Sequence, residues 1–223
     1  MSCDATLVGI DEGWWLLSDT VFYPGGGGQP ADTGTIALGG ENHPVLEVRS
    51  DRGVVWHRMD LTADLDSAVH CRIDWDRRYA LMRHHTLLHV VNTVALRVHG
   101  GLVTGALIGA SVSRVDFRFA EFDRSMLPEF EHAVNEVVGM NLSVSSSTIT
   151  ESEFLARPDL IRTRNVTPPI EEGRVRIVEI GPLDAQACGG THVHSTAEIG
   201  PARIDGFENK GKENKRIYWA LAG

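Results

Sequence analysis

Asp74-Trp75-Asp76-Arg77-Arg78-Tyr79-Ala80-Leu81-Met82-Arg83-His84-His85-Thr86-Leu87-Leu88-His89-Val90-Val91-Asn92-Thr93-Val94-Ala95-Leu96-Arg97-Val98-His99-Gly100-Gly101 is the stretch on which the fold turns. Tyr79, Met82, Leu88, Val91, Ala95 and Val98 recur at helical spacing, Asp74 or Asp76 can cap the start, and the paired glycines stop the run. The spacing predicts a long helix that divides the chain. Before it, short alternating segments (Thr6–Ile10, Gly13–Ser18, Gly34–Leu38, Pro44–Arg49, Val54–Met59) are separated by turn residues. Strands at that spacing predict a small β-barrel or sandwich. After it, strands are expected at Leu102–Ile108, Val112–Phe119, Leu142–Ile149, Arg174–Ile180, Ala202–Gly206 and Arg216–Leu221. A second helix is expected near Met126–Val138. Thr150-Glu151-Ser152-Glu153 has the spacing of a capping box and predicts a further short helix. The expected fold class is α+β: a small N-terminal β-barrel over residues 1–73, then an α+β domain over 74–223 with the helix against an antiparallel sheet.

The chain of 223 residues carries 21 Lys and Arg against 30 Asp and Glu, a formal charge of −9. An acidic chain does not coat nucleic acid through a global positive field, so any such partner must be held by local patches. Two basic clusters stand out: Arg77, Arg78 and Arg83, and the three lysines of the chain, Lys210, Lys212 and Lys215, with Arg216. Each reads either as a phosphate-contacting patch or as a solvated face. No apolar run is long enough to span a membrane. Three cysteines (Cys3, Cys71, Cys188) do not make a disulfide framework. With no basic-then-apolar start, a cytoplasmic, reduced protein is expected.

His85 and His89 stand four apart on the expected helix, so both imidazoles project from one face, one turn apart. That is metal-ligand spacing. The zinc-protease helix needs Glu directly after the first histidine, and Thr86 stands there instead. A hundred residues later, Cys188-Gly189-Gly190-Thr191-His192 places a thiol and an imidazole around two glycines that permit a tight turn. Together the two pairs supply three nitrogens and one sulfur, a set suited to one tetrahedral Zn²⁺. Asp184, four residues before Cys188, reads either as the carboxylate that orients a ligand histidine or as a loop-solvating group.

These residues resemble a known family. The helix motif Arg83–His89, the loop Cys188-Gly189-Gly190-Thr191-His192-Val193 and Glu198-Ile199-Gly200 look like the alanyl-tRNA editing domain. So do Phe22-Tyr23-Pro24-Gly25-Gly26-Gly27-Gly28-Gln29-Pro30 with Asp32-Thr33-Gly34, Arg114-Val115-Asp116-Phe117, and Lys210–Arg216. The length leaves no room for an aminoacylation module, so the resemblance implies the free-standing AlaX type, similar to its medium-length version. Leu87 departs from the pattern, which commonly has Ala. It is expected to pack into the core. His194 is a third histidine near the motif, expected to be exposed, and His84 is expected to face away from the ligand pair.

What the resemblance implies is hydrolysis of tRNA(Ala) mischarged with serine, and of the glycyl ester, acting in trans. No DNA or membrane partner is expected, and the oligomeric state is left open. Such an ester is already activated, so the enzyme must mainly place a water and stabilise the developing oxyanion. Zinc can do both, lowering the pKa of water from about 15.7 to about 7. Four protein ligands, however, usually mark a closed structural site, and catalytic zinc keeps an open position. Zinc therefore either activates water, after loosening a ligand or adding a fifth, or anchors the substrate's amino group while another group positions the water. Sparing alanyl-tRNA requires a pocket built to hydrogen-bond the serine hydroxyl. Gln29 and Thr104 are the polar residues expected to do so. Gly26, Gly27 and Gly28 with Arg77, Arg78, Arg83, Lys210, Lys212, Lys215 and Arg216 are the expected substrate and tRNA contacts. Three other readings stay open: a tRNA-binding module without activity, a deacylase for another aminoacyl ester, and a cysteine hydrolase using Cys188 with a histidine base.

Overall fold

The computed structural model describes residues 1–161 and 170–222. Two compact units emerge: Met1–Gly26 with Pro30–Tyr79, and Gly27–Gln29 with Ala80–Gly223.

The first unit is built on strands β1 (Ser2–Asp11), β2 (Trp14–Leu17), β3 (Gly34–Leu38), β4 (Glu41–Pro44), β5 (Glu47–Asp51), β6 (Val54–Arg58) and β7 (Ala68–Ile73). They form one antiparallel sheet in the order β4-β3-β7-β1-β2-β6-β5. Strand β7 alternates strictly, with Val69, Cys71 and Ile73 inward. They join Leu7, Trp15, Leu17, Phe22 and Ile36 in a single core. The expected closed barrel does not form among the described residues, because β4 and β5 are edges and do not pair. Their composition explains why. Pro44 has no N–H to donate, and Glu47, Arg49 and Asp51 put charge along the other rim. The single strand expected over Pro44–Arg49 is instead the end of β4 and the start of β5.

Helix α1 (Trp75–His99) begins where Asp74 Oδ1 accepts from the Arg77 N–H, 3.2 Å away. It ends at Gly100, whose φ of +62° is left-handed, with the Gly100 and Gly101 N–H groups donating to the Leu96 and Ala95 carbonyls. The expected one-sided stripe is only part of the pattern. Residues 84–95 are buried on every face of the helix, whereas Val98 is exposed. Polar side chains on that stretch therefore need internal partners.

In the second unit, β8 (Leu102–Leu107), β9 (Val112–Arg118), β14 (Ala202–Asn209) and β15 (Asn214–Leu221) form an antiparallel sheet in the order β14-β15-β9-β8. Helix α2 (Leu127–Gly139) buries Phe130, Val134, Val137 and Val138. Phe130 meets Phe117 and Trp219 edge-on in the core. A further antiparallel sheet contains β10 (Val144–Thr150), β11 (Ile170–Glu171), β12 (Arg174–Ile180) and β13 (Asp184–Ala187), with β13 pairing β12. Helix α3 (Glu151–Leu155) carries the expected capping box: Thr150 accepts from the Glu153 N–H while Glu153 accepts from the Thr150 N–H. Among the described residues no helix is long and apolar enough to cross a membrane.

Candidate metal centre

The ligand geometry starts from two local constraints. Helix α1 fixes His85 and His89 one turn apart, and their rings lie 5.2 Å centre to centre. Strand β13 delivers the chain into the Cys188–His192 loop, where the Cys188 N–H donates back to Arg176 O on β12. The loop then brings the His192 ring to 4.3 Å from His85 and 4.5 Å from His89. One candidate ligand atom from each of His85, His89, Cys188 and His192 falls within 4.8 Å of all the others.

Hydrogen bonds fix the proton positions on two of the rings. Gln29 Oε1 accepts from the Thr191 N–H at 3.0 Å, and Gln29 Nε2 donates to Thr191 Oγ1 at 2.8 Å. A backbone N–H can only donate, so the amide orientation is determined. His85 Nδ1, 2.7 Å from the same Oε1, must then carry its proton. Its Nε2 is left as a lone pair 3.4 Å from Cys188 Sγ. His192 follows the same logic. Thr86 Oγ1 gives its single proton to Met82 O and accepts from the Val193 N–H. His192 Nδ1, 3.1 Å away, therefore donates to Thr86 Oγ1, and His192 Nε2 faces Cys188 Sγ at 3.4 Å. Thr86, which breaks the zinc-protease pattern, thus orients the ring of His192.

The donor set fits a divalent ion. Two lone pairs face one thiol, which has a single proton to offer. His89 Nδ1 is buried without a hydrogen bond, 3.9 Å from the Asp184 carboxylate. Zn–S bonds of about 2.3 Å and Zn–N bonds of about 2.0–2.1 Å at tetrahedral angles hold S and N about 3.6 Å apart, close to the separations here. Burial, and next the neighbouring histidines and Arg176, hold His85 and His192 well below the ordinary imidazole range. His89 is lowered to about 3 by burial and Arg176. All three rings are neutral at pH 7, the form that binds metal. Burial pushes the Cys188 thiol up, opposed by the Gly190 N–H and Arg176. That direction argues against a resting thiolate nucleophile.

Gly190 closes the loop against the helix: a Cβ there would stand 2.0 Å from His85 Cε1. Arg176 holds the other side, with Nη1 donating to Cys188 O at 3.0 Å and Gly190 O at 2.7 Å. Sequence reasoning missed Arg176, since an arginine in an alternating strand looks like a solvated residue. Asp184 is buried and accepts from Gln186 Nε2 at 2.5 Å. Leu87 is fully buried and His194 exposed, each as expected. His84 is buried outside the ligand cluster.

The remaining expected contacts divide sharply. Gly28 O accepts from the Ile108 N–H at 2.8 Å, and a Cβ on Gly28 would meet Ala106 O at 2.8 Å, so Gly28 lies against β8. Gly26 O accepts from the Tyr23 hydroxyl, whereas Gly27 has open space where a Cβ would be. Thr104 is exposed on β8, and its hydroxyl donates to Asp116 O at 3.2 Å.

Several of the expected cationic contacts face inward. Arg78 is buried in an ion pair with Asp32 and also donates to Val21 O. Arg83 donates twice to Ile199 O. Lys215 is buried, its Nζ donating to Asn209 Oδ1, Gly211 O and Lys212 O at 2.9–3.0 Å. These three groups each meet oxygen acceptors within the protein. Arg216 is bound by both oxygens of Asp116, which raises its pKa. Arg77 donates to Ala31 O. Lys210 pairs with Glu208 at 2.5 Å and remains exposed. Lys212 is exposed, with no ion pair among the described residues.

Comparison with known proteins adds independent findings. The family described as "Threonyl and Alanyl tRNA synthetase second additional domain" matches residues 175–218, and "tRNA synthetases class II (A)" matches residues 2–77. The chain is similar to "Alanyl-tRNA editing protein AlaX-M" of Methanosarcina mazei, at 35% identity over 98% of this chain and 91% of that protein. It is similar to the protein so named in Saccharolobus solfataricus, at 36% over 98% and 93%. Similarity also extends to "Alanine--tRNA ligase" of Methanopyrus kandleri, at 37% over 94% of this chain but 23% of that larger protein.

Proposed function

The chain belongs to the alanyl-tRNA editing proteins of the AlaX-M kind, and on that premise we propose that it is a zinc-dependent deacylase. Its substrate on this reading is tRNA(Ala) mischarged with serine, and secondarily with glycine, released from the synthetase. The observation that carries the reading is the convergence of the His85 and His192 lone pairs on the Cys188 sulfur, with His89 beside them. His85, His89, Cys188 and His192 would hold one Zn²⁺, which when bound supplies Lewis acidity toward an ester carbonyl and toward water.

This chain's own groups set the rest. Gln29 and Thr86 keep two ligand rings in the tautomer that presents Nε2. The alternative carboxylate role of Asp184 is supported by its burial beside His89 Nδ1. Recognition of the serine hydroxyl is assigned to Thr104, whose oxygen donates to Asp116 O and keeps lone pairs to accept a further hydrogen bond. Gln29 acts by holding His85 and Thr191. Lys210 and Lys212, exposed at the β14–β15 turn, are assigned to phosphates of the tRNA, which makes binding salt-dependent. Catalysis belongs to residues 74–223 with Gly27–Gln29, and the rest of residues 1–73 forms an accessory domain. On this reading the protein works in the cytoplasm, where charged tRNA is used.

Deacylation of seryl-, glycyl- and alanyl-tRNA by the wild type and Cys188→Ala tests the reading. Seryl-tRNA hydrolysis is expected to be fastest, lost on chelation, restored by Zn²⁺ and absent in the variant. Equal rates on all three esters would refute the selectivity. Activity that survives chelation but not a thiol reagent would favour the cysteine hydrolase.

A further inference from the structure

Arg176 is a charged side chain bonded to the backbone of the Cys188–His192 loop that the proposed chemistry leaves without a task. It sits half-buried on β12, and among the described residues no carboxylate oxygen lies within ion-pair distance of it. A guanidinium in that setting ordinarily finds an anion. Here one nitrogen, Nη1, takes two carbonyl oxygens of the ligand loop, Cys188 O and Gly190 O. The same residue's backbone oxygen accepts the Cys188 N–H. Arg176 thus grips Cys188 from both its main chain and its side chain.

The grip shapes what the loop presents. With the carbonyls of Cys188 and Gly190 turned toward the guanidinium, the Gly190 N–H faces Cys188 Sγ at 3.4 Å. From the opposite side, the His85 ring leaves no space for a Cβ on Gly190. The two glycines have little stiffness of their own. Without the guanidinium, two carbonyl oxygens would lose their charge-assisted donor, and the loop would relax away from the helix.

We propose that Arg176 is a positioning residue for the metal centre, clamping the Cys188–Gly190 backbone so that sulfur and the His192 ring meet the helix ligands around one ion. The proposal rests on the zinc reading, and the test keeps the two separable. Apo-protein is titrated with Co²⁺ against a competing chelator, following the thiolate-to-cobalt absorption. The proteins compared are the wild type, Arg176→Gln, Arg176→Lys and Arg174→Gln, an exposed change on the same strand. Circular dichroism and melting of the metal-free proteins report the fold.

Arg176→Gln is expected to keep the apo fold, bind Co²⁺ about 10–100-fold more weakly and show an altered thiolate band. Arg176→Lys should recover part of the loss, and Arg174→Gln should match the wild type. Wild-type affinity and spectrum in Arg176→Gln, or an equal loss in Arg174→Gln, overturns the proposal. If Arg176→Gln does not fold, Arg176→Lys decides: weakened binding with a wild-type melting temperature supports the clamp, and unchanged binding sinks it. Failure of the wild type to bind Co²⁺ or Zn²⁺ would instead remove the zinc reading itself.

Discussion

Gly190 lies so close to His85 that a single added methyl would overlap the imidazole, 2.0 Å from Cε1 and 2.4 Å from Nδ1. The contact is with a ring held on a buried helix turn, which cannot swing aside without leaving Gln29.

Gly190→Ala is therefore expected to push the loop off the helix. Zn²⁺ affinity, read by chelator competition, should fall at least about 10-fold, the loss typical when ligand orientation is disturbed. Seryl-tRNA hydrolysis should fall with it. Full metal affinity in this variant would contradict the loop geometry.

Acid should weaken the metal-free protein. His85, His89 and His192 have folded pKa values below the ordinary 6.5, with His89 lowered to about 3. Between the folded and unfolded values the unfolded chain binds more protons, so stability is full above about pH 6.5 and is lost as pH falls. Each such group costs up to about 1.4 kcal/mol per pH unit in that window. Melting temperatures of the chelated protein from pH 7.5 to pH 5 check this, and a flat profile would contradict it.

Asp32→Ala should destabilise the first unit by about 3–5 kcal/mol, because it strands the Arg78 charge in a buried site and removes the acceptor for the Tyr23 N–H. Urea unfolding of the variant measures the loss. A change below about 1 kcal/mol would mean that Arg78 reaches water.

Two neighbouring lysines should separate by phenotype. Lys215→Ala removes three hydrogen bonds from the β14–β15 turn and should lower stability by about 1–3 kcal/mol. Lys212→Ala should leave melting unchanged, raise KM for charged tRNA and reduce the salt slope by about 1. Binding unaffected by Lys212→Ala at low salt removes that contact.

The part of this site that could be read from the chain is the part governed by period and local spacing. His85 and His89 share a face because four residues nearly complete a turn, and Cys188 and His192 flank glycines that permit a reversal. The capping box at Thr150 and the strands at Gly34–Leu38 and Arg174–Ile180 were legible for the same local reasons. Strand β13 was not, because Asp184-Ala185-Gln186-Ala187 has neither β-branched nor aromatic residues and owes its state to pairing with β12. Strand β7 was not recognised either, although Val69, Cys71 and Ile73 alternate cleanly. Cations were the harder problem. Arg78, Arg83 and Lys215 look like Lys210 and Lys212 in sequence, and only the tertiary fold decides which of them meets an internal oxygen. The roles of Arg176 and Thr86 escaped notice because Cys188 and Gly190 lie 12–14 residues from Arg176, and His192 and Val193 lie 106–107 residues from Thr86.

The short run Gly27–Gln29 belongs with the second unit although the chain on both sides of it belongs to the first. A fragment beginning at Ala80 would keep the four ligand side chains but forfeit the amide that fixes the His85 tautomer. The unit that carries the candidate metal site is consequently not excisable by one scission, and a minimal version would have to graft that tripeptide back or supply a substitute acceptor from elsewhere.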